Sequence, residues 1–189
     1  MILNKNIEFL KSYLEVSEKQ ISKKCTFYEA KNLPEFLYTQ YDFFDSTFIS
    51  DFVLVVVYDE LMHFKQRGWH QACPEHKMVM LKKSKFDEDK DSMATLVHDL
   101  AHIEQFAMIG AQKFNELRGQ KQFKELEGGT YPNNKTEYYA FSKQFKYLAS
   151  QNVTIENIRN TFCFLYDYKI DYMSFIDIMI KENFNTNEK

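Results

Sequence analysis

The stretch Ser92–Arg118, closed by Gly119, constrains the fold of this chain more than any other. Leu96, Leu100, Ile103, Ala107, Ala111, Phe114 and Leu117 recur there at steps of three and four, the period that lines one face of an α-helix. Ser92 is a good N-cap and Gly119 a good stop, so the spacing predicts one long helix over 92–118. Earlier in the chain, Val53, Val55, Val56 and Val57 are β-branched and the apolar run is short, which predicts a buried strand over Asp51–Asp59. Lys77–Lys82 reads as a second strand whose charged ends suit a sheet edge.

The remaining segments fill in around these. Ile7, Leu10, Leu14, Val16 and Ile21 fit an amphipathic helix over residues 4–23. Residues 29–44 are aromatic-rich and ambiguous, with Pro34 able to open a short helix. Gly68 and Pro74 mark Gln66–Glu75 as a loop, and the acidic run Phe86–Asp91 reads as exposed. Gln120–Asn133, with Gly128, Gly129 and Pro132, is a second loop. Three further helices are expected, over Asn134–Gln151, Thr154–Tyr166 and Asp171–Asn183. Strands cluster early and helices late, the pattern of an α+β fold. A chain of 189 residues suits a single domain, with residues 1–24 as an N-terminal helix, 25–90 as the strand-containing part and 91–189 as the helical part.

Composition narrows the partners. The net charge is −3 and Lys and Glu are mixed along the helices, so no basic stripe offers itself to nucleic acid. No run is long and apolar enough for a signal peptide core or a membrane span. Three cysteines, widely spaced, do not make a disulfide framework, and a cytoplasmic location is the simplest expectation. The 18 Phe and 12 Tyr point to a core of large side chains, or to a groove for apolar substrate groups.

Within the long helix lie two of the chain's five histidines, His98 and His102. Their i, i+4 spacing stacks both imidazoles on one face, one turn apart, within reach of a single ion. On the helical wheel they sit roughly 200–240° from Leu96, off the apolar stripe. Small residues, Ala94 and Thr95, share their face and leave room for a cleft. Asp99 follows the first histidine, where the zinc-protease signature H-E-x-x-H carries its general base. Asp is one methylene shorter than Glu, a shortfall on the order of 1.5 Å, and misplacement on that scale can cost roughly 100-fold in rate.

A catalytic zinc takes three protein ligands and keeps one position open, so a third ligand is needed. The later helix offers Glu137, which shares a face with Phe141, Gln144 and Leu148. The same residue also fits a capping box, with Asn134 as N-cap and Glu137 at the third helical position.

Across roughly residues 76–150 the chain resembles zincin-like metallopeptidases of the small bacterial and phage type, whose third ligand is a glutamate. Their metal helix has the form tLvHElaHveQ, and this chain reads Thr95-Leu96-Val97-His98-Asp99-Leu100-Ala101-His102-Ile103-Glu104-Gln105. Their later helix opens on NPxExEA, and here Asn134-Lys135-Thr136-Glu137-Tyr138-Tyr139-Ala140 stands in that place, with Lys135 for the proline and Tyr139 for the second acid. The resemblance implies one zinc on His98, His102 and Glu137, with Asp99 as the base. It implies a peptide or protein substrate cut by a zinc-activated water, and a short mixed sheet packed on the metal helix. Tyr131 or Tyr138 would be available to steady an oxyanion.

Other readings start from the same residues. Leu96-Val97-His98-Asp99 also resembles the HD-type metal phosphohydrolases, which are all-helical. Glu60-x-x-His63 with Asp99-x-x-His102 has the form of a di-iron carboxylate site. His70-x-x-Cys73-x-x-His76 has metal-ligand spacing, although a polar loop rich in His reads the same way. A zincin-like domain that holds zinc, or has lost it, and serves as an inactive binding module is the non-enzymatic alternative.

Overall fold

A computed structural model describes residues 16–22, 25–30, 43–57, 70–82, 92–165 and 170–184. Five strands come first: β1 (Val16–Ser22), β2 (Cys25–Ala30), β3 (Phe52–Val57), β4 (His70–Cys73) and β5 (Met78–Lys82). A 3-10 turn, Pro74–His76, joins β4 to β5. Four helices follow: α1 (Ser92–Arg118), α2 (Lys135–Ser150), α3 (Ile155–Leu165) and α4 (Ile170–Phe184). The fold is α+β, as the segregation of strands and helices predicts. None of the helices among the described residues is long and apolar enough to cross a membrane.

The strands form one mixed sheet in the order β1-β2-β3-β5-β4. β1, β2 and β3 pair antiparallel, β3 and β5 pair parallel, and β4 returns antiparallel along β5 as the edge strand. Both strands expected from the sequence are present as β3 and β5. Phe52, Leu54 and Val56 of β3 are buried with Val79 and Leu81 of β5, while the alternate residues Val53, Met78 and Met80 are half-covered. That is the period-2 alternation of a sheet with one face on the core. The sheet leaves no room for the all-helical phosphohydrolase arrangement.

Three expectations are corrected. Val16–Ser22, the end of the helix predicted over 4–23, is strand β1, because the backbone of Cys25–Ala30 offers it a ladder and pairing overrides weak helical propensity. Residues 4–15 of that helix, the short helix after Pro34 and the run Phe86–Asp91 lie outside the described residues. Within the predicted loop 66–75, His70–Cys73 is strand β4, with His70 opposite Leu81 and Cys73 opposite Met78. Pro74 bounds that strand without interrupting it, and Gly68 lies outside the described residues.

The third correction concerns α1. It begins and ends where the sequence predicts, but Gly110 breaks it at φ 75°, ψ 162°. Only glycine adopts that region readily. Eight residues of unbroken helix rise about 12 Å, yet the Phe106 and Phe114 rings lie 5.5 Å apart. The chain therefore folds back at Gly110. The predicted stripe breaks with it: Leu96, Leu100 and Ile103 are buried in the core, Ala107 and Ala111 are exposed, and Phe114 is buried again on the returning segment.

Among the described residues, a cluster of phenylalanines fills the core beneath α1 and α2. Phe141 meets Phe145, Phe162 and Phe175 edge-on at 5.8, 5.8 and 5.6 Å, which ties α2 to α3 and α4. A second tie joins α1 to α2. Buried Glu104 accepts from the Asp45 backbone N–H, the Tyr139 hydroxyl and the Lys143 ammonium, each at 2.6 Å. Lys143 also donates to the Phe43 carbonyl and lies over the Phe44 and Tyr139 rings, 4.9 and 5.1 Å from their centroids. Burial and the bond to Glu104 push the Tyr139 phenol well up, so it stays a donor.

Two stability predictions follow from these ties. Glu104→Gln leaves Lys143 without its counter-charge and should cost about 3 kcal/mol, read as a fall in Tm of roughly 6–12 °C by calorimetry. Gly110→Ala meets no atom within 4 Å, so its cost, about 1–3 kcal/mol, is purely that of the backbone; denaturant midpoints would measure it.

Candidate metal centre

Two helices build the site. In α1, before its break, regular helical spacing brings the Nε2 atoms of His98 and His102 to 3.2 Å from each other. In α2, Asn134 caps the first turn, its Oδ1 accepting from the N–H groups of Thr136 (3.1 Å) and Glu137 (2.9 Å). The reciprocal half of a capping box is not made, because the Asn134 N–H donates to Pro132 at 2.8 Å. The Glu137 carboxylate turns instead to the histidines, with Oε2 3.3 Å from His98 Nε2 and 3.6 Å from His102 Nε2. Cap and ligand turn out to be compatible, since Asn134 supplies the one and Glu137 is free to supply the other.

The three atoms form a nearly equilateral triangle. Zn–N bonds of about 2.0–2.1 Å at tetrahedral angles separate neighbouring ligand atoms by roughly 3.3–3.4 Å. The edges of 3.2, 3.3 and 3.6 Å match that spacing. All three side chains are buried, and the cluster can hold a metal ion. Its electrostatics suit a cation. Burial alone would raise the Glu137 carboxyl, but the charge and hydrogen bonds of His102 and His98 outweigh it and hold it well below the usual carboxylate range. Burial depresses His98 against the pull of Glu137, with the neighbouring His102 adding to the fall, which favours the neutral ring.

The ligands are themselves held. His98 Nδ1 donates to Gln144 Oε1 at 3.1 Å, two turns along α2 from Glu137, which leaves Nε2 as the lone-pair nitrogen. The Phe141 ring meets the His98 ring edge-on at 4.6 Å, and Phe114 meets His102 at 6.1 Å. The Nδ1 atom of His102 and the Oε1 atom of Gln105 are buried with no partner among the described residues.

Asp99 points to the sheet. The residue is 1% exposed, and both carboxylate oxygens lie 3.0 Å from Nδ1 of His70 on edge strand β4. Burial would depress His70, but the charge and hydrogen bond of Asp99 outweigh it and raise the ring above its ordinary value. The pair and the ligand triad open on one cleft of about 220 Å³, whose other walls include Phe114, Arg118 and Tyr131. Tyr131, 59% exposed, thus stands at the cleft as expected of a candidate. Tyr138 does not, since its hydroxyl donates to Glu182 on α4 at 3.0 Å.

The spacing His70-x-x-Cys73-x-x-His76 does not converge. Among the described residues the only group of three such side chains able to hold an ion is His98, His102 and Glu137. His70 belongs to Asp99, Cys73 is a free thiol that burial pushes up, and His76 is exposed in the 3-10 turn. His63 lies outside the described residues. The pairing of His70 with Asp99 has no signature at 29 residues' separation. Glu104 had a weak one, an acid one half-turn past His102 with Tyr139 and Lys143 spaced i, i+4 to receive it. No protein-family model, curated protein or solved structure matches the chain.

His102→Ala and Glu137→Ala should each abolish stoichiometric metal binding, measured by elemental analysis of the purified protein. Gln144→Ala should keep the site but weaken its affinity about 10- to 100-fold, measured by competition with a chromogenic chelator.

Proposed function

We propose that the chain is a zinc-dependent metallopeptidase of the zincin-like type, with zinc on His98, His102 and Glu137. The observation that carries this reading is the triangle of three buried ligand atoms at tetrahedral spacing, opening on the same cleft as the Asp99–His70 pair. Two imidazoles and one carboxylate make a catalytic ligand set, with a fourth position left for solvent or substrate. The order of parts also supports it: a mixed sheet, then the helix of two histidines, then a helix that opens on the third ligand.

Zinc, when bound, supplies Lewis acidity that polarises a scissile carbonyl and makes a neighbouring water more acidic. The protein must then hold a proton taken from that water and return it to the leaving amine. Asp99 carries this role, and His70 fixes its short carboxylate at the cleft. The two contacts from His70 Nδ1 hold that carboxylate in one orientation. Tyr131 is the candidate donor to the developing oxyanion.

A second reading is a zinc-holding module without turnover. The observation in its favour is that both Asp99 oxygens are already engaged by His70.

Asp99→Ala should retain zinc and lose about 100- to 10,000-fold in rate in a peptide-library cleavage assay. His70→Ala should lose a comparable factor, and the double variant should be no worse than the poorer single one, because paired groups act as a unit. Zinc in the wild-type protein without cleavage of any library member would favour the module; an unchanged rate in Asp99→Ala would falsify the role given to that residue.

A further inference from the structure

Arg118 is the last residue of α1, on the segment that Gly110 folds back over the site. It lines the metal cleft, and among the described residues its guanidinium has no ion-pair or hydrogen-bond partner. The two acids that line the cleft with it are committed elsewhere. Glu137 lies 3.3 and 3.6 Å from the two histidines and Asp99 3.0 Å from His70, and Glu116, beside Arg118 on the helix, accepts from Lys113 and Gln120 at 3.0 Å. A divalent ion on a ligand set with one carboxylate would add a further positive charge to the same space. With the ion bound, the cleft therefore has a cationic balance, and the exposed guanidinium on its wall offers a five-donor fork to a ligand.

Its size limits what that fork can meet. At about 220 Å³ the cleft is smaller than the roughly 300–1,000 Å³ of pockets for drug-sized ligands. It suits the end of a peptide better than a stretch of several residues. A peptide end that brings its own anion is the carboxyl terminus, whose planar carboxylate matches a guanidinium in bidentate fashion.

We propose that Arg118 is the specificity-determining residue of the site, and that the substrate is a short peptide or peptide end whose free carboxylate it binds. This rests on the zinc reading, and the test separates the two. Zinc content is measured first, by elemental analysis of wild type, Arg118→Ala and Arg118→Lys. Calorimetry then gives the affinities of acetohydroxamic acid, N-hydroxysuccinamic acid and phosphonoacetohydroxamic acid, which share a zinc-binding head and differ in their tail.

The carboxylate-bearing probe should bind wild type about 10- to 100-fold more tightly than acetohydroxamic acid. That advantage should vanish in Arg118→Ala and survive in part in Arg118→Lys, which keeps charge without the fork. Acetohydroxamic acid itself should bind all three proteins alike. Equal preference for the carboxylate in wild type and Arg118→Ala, with zinc present in both, would overturn the role of Arg118 and leave the metal site standing. A phosphonate preferred over the carboxylate would overturn the substrate class. Wild type without zinc would overturn the metal reading, and this one with it.

Discussion

The site depends on a carboxylate that takes no part in it. Glu104 sits half a turn beyond His102 on α1 and receives a lysine and a tyrosine from α2, so one buried ion pair sets how the two helices lie against each other. The ligands come one pair from α1 and one from α2, and a sliding of either helix by a fraction of a turn would open the triangle. Hydrophobic contact between Phe-rich faces is tolerant of such shifts, because one ring packs against another at many offsets. A hydrogen-bonded ion pair is less so, since it weakens once donor and acceptor leave their narrow range of distance and angle. The third arm, from the Asp45 backbone, brings the segment entering β3 into the same register. Sheet and helices are thereby referred to one point.

The same logic recurs around the ligands, with each polar group answered by one from a different element. His98 is answered by Gln144 from α2, Glu137 by both histidines from α1, and Asp99 by His70 from the sheet edge. A buried charge is costly when alone and bearable when paired. The aromatic core serves this arrangement by excluding water from behind the site, with Phe141 at once a member of the core and the floor under His98. Among the described residues Phe141, Phe145, Phe162 and Phe175 are spent in that core, while Phe114 stands at the cleft.

What could be read from the sequence is what is local. The α1 and α2 boundaries, strands β3 and β5, and the i, i+4 histidines all follow from spacing within one element. Glu137 was legible as a ligand and as a cap because both readings use the same turn, and only the neighbouring Pro132 carbonyl, which takes the Asn134 N–H, separates them. Strands β1 and β4 were not legible, because neither has a strong pattern of its own and each exists through its neighbour. The partnership of Asp99 with His70 is hidden for the same reason: it depends on β4 lying along β5. The break at Gly110 is the instructive case. Its apolar spacing continues on both sides, so periodicity runs straight through a residue whose backbone does not.

That break has a consequence for how the site is held. A helix transmits tilt along its hydrogen-bonded ladder, so a wall built on the same unbroken rod as the ligands would drag them whenever it changed. Gly110 interrupts the ladder between the ligand half and the wall half. Within 111–118 the Phe114 ring still meets His102 at 6.1 Å, so the two halves touch through a side chain and not through a shared ladder. Ligands and wall then occupy two stretches of one helix, joined at a residue that carries no helical turn from one to the other.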